Sequence, residues 1–122
     1  MAQEDKIQAV MFLKDPAMKI QSRFTNEQLE KVIDEGMIYM CACPAQVAQN
    51  IRNLRELFDY QQNCLTDPQK NDTTVHQEIA KAAQVAHAIM EDCMDNILDI
   101  EKWDRATLTM PEGLRQRQAD AI

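Results

Sequence analysis

Residues 74–101 read TVHQEIAKAAQVAHAIMEDCMDNILDIE, with neither proline nor glycine to interrupt them. Val75, Ile79, Ala82, Ala86, Ile89, Cys93, Ile97 and Ile100 recur at spacings of four and three. That is the stripe of an amphipathic helix, not the alternation of a strand. Thr74-Val75-His76-Gln77 opens the run as a capping box, in which the Thr hydroxyl and the Gln side chain satisfy each other's orphan amides. Ala80, Ala82, Ala83, Ala86 and Ala88 let a neighbouring helix approach closely. A long helix is predicted over 74–101.

Before it, TDPQKNDT (66–73) has the Asp, Asn and Pro of a connector. A second long helix is predicted over 44–65. It starts at Cys43-Pro44, where proline suits the first turn because its missing amide would be unpaired anyway. Val47, Ile51, Leu54, Phe58 and Leu65 form its seam, with one slot, Gln61, left polar. The two helices would be about 33 Å and 40 Å long, and a short connector between long helices makes antiparallel neighbours. Thr25-Asn26-Glu27-Gln28 is another capping box, opening a shorter helix to about Cys41 that carries Leu29, Val32, Ile33, Met37 and Met40. Asp5 to Lys14 is a short amphipathic segment ended by Asp15-Pro16. Thr109-Met110-Pro111-Glu112 looks like a third box opening a short terminal helix, and residues 116–122 are expected to fray.

The fold class is therefore all-α: a helical bundle built on a long antiparallel helix hairpin with flanking shorter helices, a single domain over 1–122. Composition agrees. Of 122 residues, 5% are aromatic, 8 are Met and only 2 are Gly, which suits helices and not sheets. The net charge of −7 excludes a role dominated by phosphate backbones, so no nucleic-acid partner is expected. Nothing apolar approaches the ~20 residues of a membrane span. Met1 to Lys6 leads into no signal-peptide core, so the expected location is the cytoplasm, with the 4 cysteines reduced. Long seams and few aromatics favour a homodimer, in which part of the 47-51-54-58 or 82-86-89-93 seam meets its symmetry mate.

Most catalytic signatures fail. Ser22 is the lone serine, and Gly36 and Gly113 are isolated, so neither a serine triad nor a phosphate loop is present. His87, Glu91 and Asp95 fall on one helix face and form a candidate polar or metal-binding row. The Glu-x-x-His pattern of a di-iron bundle is absent, and 2 histidines are too few for a hemerythrin-like site. The row reads first as a solvated face with a favourable charge pair. The acids from Glu91 to Asp104 read likewise, with a docking surface for a basic partner as the other reading.

The cysteines are the sharpest chemical feature. Cys41 and Cys43 flank a helix junction, and Cys43 stands at a helix start, where the dipole favours a thiolate. Cys43 and Cys64 lie about 31 Å apart along one helix, which excludes a four-cysteine site within the chain. Hairpin register puts Cys93 level with Gln46, so Cys43 and Cys93 are expected within about 10 Å, with Cys41 near and Cys64 remote. A metal ion, if any, would be held by Cys41, Cys43 and Cys93, and Cys43 would be the redox thiol. No other cofactor is expected. The function so reached is a non-enzymatic interaction or regulatory protein that binds another protein through a bundle face. The alternative is a thiol-based redox or metal sensor or carrier.

Overall fold

A computed structural model describes residues 20–38, 43–66 and 73–113. These residues are all-helical in character. Three helices, α1 (Asn26–Ile38), α2 (Cys43–Leu65) and α3 (Thr73–Ile100), are joined to one isolated bridge between Asp104 and Thr109. The expected Asp5–Lys14 segment, Cys41 and the frayed tail lie outside the described residues. No helix among the described residues is long and apolar enough to cross a membrane.

Local signals place the helix starts. Thr25 Oγ1 accepts from the Gln28 amide at 3.0 Å, while the Thr25 amide donates to Gln28 Oε1 at 2.9 Å. This is the reciprocal capping box the sequence spells. Pro44, in the first turn of α2, is fully buried. α3 begins at Thr73, one residue before the expected box.

The chain divides into two compact units interleaved in sequence, and both long helices contribute to each. The first comprises residues 20–21, 53–66 and 73–89. Its core is Phe58, Ala80 and Ala83, with Ile20 packed against them. The second comprises residues 22–38, 43–52 and 90–113. Phe24, Leu29, Val32, Ala48, Ile51, Met94, Leu98, Trp103, Leu108 and Met110 form its larger core.

The inward face of α3 differs from the expected seam. Ala80, Ala83, His87, Glu91, Met94 and Leu98 are buried, whereas Val75, Ile89 and Ile100 are exposed. The buried stripe keeps the three-and-four spacing but lies one residue beyond Ile79, Ala82, Ala86, Cys93 and Ile97, about 100° round the helix. α2 shows the same inclusion of polar groups: Ala48, Ile51, Arg55, Phe58, Gln61 and Cys64 are buried. Burying a polar side chain costs free energy unless it is bonded, so these positions depend on partners that helical periodicity does not reveal.

α3 ends in a Schellman motif. The Trp103 amide donates to Leu98 O at 2.9 Å, and the Lys102 amide donates to Asp99 O at 3.1 Å. Trp103 and Leu98 complete it by sharing the core. Lys102 has φ of 59°, the left-handed position that glycine normally fills. Leu108, at φ 55°, accepts the same strain within a loop that buries its side chain. Around it, Asp104 Oδ1 accepts from the amides of Ala106 (2.9 Å) and Thr107 (3.1 Å), and Leu108 N donates to Asp104 O at 2.7 Å. Thr109, expected to cap a terminal helix, pairs with Asp104 through its backbone and with Thr107 through its hydroxyl.

Lys102 is exposed, so relieving its backbone removes nothing packed. Lys102→Gly should raise stability by about 0.5–1 kcal/mol, because the left-handed penalty for a side chain outweighs glycine's extra entropy in the unfolded chain. Lys102→Ala, with the same Cβ, should leave the thermal midpoint near the parent's. A lower midpoint for Lys102→Gly would contradict the strain assigned here.

Candidate functional site

The polar groups of the first unit are paired across α2 and α3. Arg55 donates from Nε to His87 Nε2 at 2.9 Å, with both residues buried. A guanidinium only donates, so this ring nitrogen is the acceptor and the His87 ring is neutral with its proton on Nδ1. A nitrogen whose lone pair holds a guanidinium proton is not open to a metal or a substrate. At the other pair, His76 Nδ1 donates to Gln61 Oε1 at 2.6 Å, since the amide oxygen can only accept. Gln61, the polar slot in the α2 seam, is 5% exposed and is satisfied from α3.

In the second unit, two glutamates are almost fully buried. Glu91 Oε2 accepts from the amides of Arg23 at 2.9 Å and Phe24 at 3.1 Å, and Oε1 shares the Arg23 amide at 3.1 Å. These amides belong to the irregular segment ahead of α1, where no helical acceptor exists for them. Glu35 Oε1 accepts from the Met110 amide at 3.0 Å, and Lys31 Nζ lies 3.9 Å from its other oxygen. Each carboxylate therefore secures a non-helical segment to a helix.

Outside Glu91 lies an ionic network. Arg23 binds Asp92 and Asp95; Arg105 binds Asp95 and, at 2.8 Å, Asp99. The hydrogen bond to Asp95 raises the Arg105 pKa above its ordinary value, more than partial burial lowers it. The Arg105 guanidinium also lies 5.9 Å over the Phe24 ring, a cation–π distance. Asp92, Asp95 and Asp99 are thus each paired with Arg23 or Arg105 of the chain itself.

The expected row of His87, Glu91 and Asp95 is consequently distributed among separate partners: Arg55, two backbone amides, and Arg23 with Arg105. It is not the solvated face expected, since His87 is 1% and Glu91 2% exposed. Burial is tolerated because each is bonded to a group far away in sequence. Sequence reasoning passed over Arg55, Glu35, Arg23 and Arg105. Arg55 stands at the 48-51-55-58 spacing, and Glu35 follows Leu29 and Val32 by helical steps, so position on a core stripe was a usable signal for both.

Cys43 is the first residue of α2 and is exposed; Cys64, at the other end of the helix, is buried; Cys93 on α3 is half-buried. The expected ligand Cys41 lies outside the described residues. Among the described residues, no group of three or more His, Cys, Asp or Glu side chains is placed to hold a metal ion.

On α3 in the first unit, apolar residues line up on the outward side beside the exposed Glu78. Val75 is 54% and Ile89 47% exposed, Ala82 is exposed, and Ile79 and Ala86 are half-buried. Single exposed hydrophobics are ordinary on a protein surface, but five positions at alternating spacings of four and three form a stripe. No protein family, characterised protein or solved structure matches this chain.

Proposed function

We propose that the chain is a non-enzymatic interaction or regulatory module that binds a protein through the outward stripe of α3, and that this partner is a second copy of itself. The observation that carries the reading is the exposure of Val75, Ala82 and Ile89 at helical spacing. Of the two seams suited to a symmetry mate, the one on α2 is largely spent within the chain: Ile51 and Phe58 are buried, Val47 and Leu54 half-buried. The α3 stripe is the one left. Ala82 and Ala86 at its centre would let two helices approach closely, and a self-complementary patch is what a two-fold interface requires. The same reading takes α2 and α3 as arms of an antiparallel hairpin. The contacts Arg55–His87 and Gln61–His76 support it, because they advance along one helix while receding along the other.

Sedimentation tests the proposal. The protein should behave as a dimer at micromolar concentration, and Ala82→Glu with Ile89→Glu should convert it to a 14.0 kDa monomer of unchanged helix content. Both replacements are at exposed positions, so the core has no reason to suffer. A monomeric parent, or a dimer indifferent to both charges, would overturn the assignment.

A second reading rests on Cys43, an exposed residue at the start of α2, whereas Cys64 is buried. In a thiol sensor, a mild oxidant should consume Cys43 well before Cys64. Equal rates would end the thiol reading.

A further inference from the structure

We draw no further inference here: the strongest candidate, the His76–Gln61 hydrogen bond at the start of α3 with buried Cys64 one turn along α2 from Gln61, rests on a helix N-terminus and a lone cysteine, and nothing among the described residues points to a ligand there.

Discussion

Replacing Glu91 with alanine should cost about 3–5 kcal/mol of stability, since two amides, one buried and one partly buried, lose a charged acceptor and a void replaces the side chain. The amides are those of Arg23 and Phe24, both within 3.1 Å of the carboxylate. Bonds to an ionised acceptor contribute roughly 1.5–3 kcal/mol each, more than the surface ion pairs around them, which contribute about 0–1 kcal/mol. The effect should reach further than the two bonds, because Glu91 fixes the segment that carries Phe24, a 5%-exposed member of the core. Glu91→Gln separates the contributions. It retains one acceptor oxygen but turns an NH2 group toward the second position, so about half of the loss should remain. Denaturant unfolding reads both variants as shifts of midpoint at constant slope. Amide exchange adds a local readout: Arg23 and Phe24 should be protected in the parent and fast in Glu91→Ala. If the alanine variant stays within about 1 kcal/mol of the parent, water must satisfy these amides and the carboxylate does not secure the segment.

The helices were legible in the sequence because their signals are local. The Thr25–Gln28 box, the Cys43-Pro44 start and the uninterrupted 74–101 run place the start of α1 and both ends of α2 and α3 within one residue, while the end expected for α1 near Cys41 lies outside the described residues. The faces were less legible. Along α3 two stripes run side by side, one residue out of step, and apolar content alone selects Ile79, Ala82, Ala86, Ile89 and Cys93. The chain buries the other stripe, with His87 and Glu91 in it, because their partners arrive from 32 and 67–68 residues away. A helical period encodes which residues share a face and says nothing of what meets that face. The same limit hid the loop after α3. Lys102 and Leu108 occupy left-handed backbone without glycine, and that strain persists through the burial of Trp103 and Leu108 together with the backbone bonds of the Schellman motif and of Asp104.

That loop carries the other large expected effect. Trp103 is the sole tryptophan of the chain and is 4% exposed, sharing the core of its unit with Phe24, Leu98, Leu108 and Met110. Its amide closes the Schellman motif on Leu98, and its indole Nε1 donates to Glu101 Oε1 at 2.9 Å. One residue therefore stops α3 and anchors the segment that delivers Leu108 and Met110 to the core. Trp103→Ala should cost about 3–5 kcal/mol, as large aromatic truncations in cores do, a large share of the roughly 5–15 kcal/mol that holds a domain folded. Trp103→Phe keeps the backbone motif and much of the packing while removing the indole bond and part of the ring, so about 1–2 kcal/mol should be lost. Far-ultraviolet circular dichroism follows unfolding in all three proteins, since the variants lack the native fluorophore. The order should be parent, Trp103→Phe, Trp103→Ala, with helix content nearly equal before unfolding, because α3 ends on backbone bonds that the substitutions leave available. Two near-equal variants would assign the loss to the indole bond and not to packing. An alanine variant as stable as the parent would show that residues 101–110 do not depend on this side chain, and the strain at Lys102 and Leu108 would then lack the compensation assigned to it.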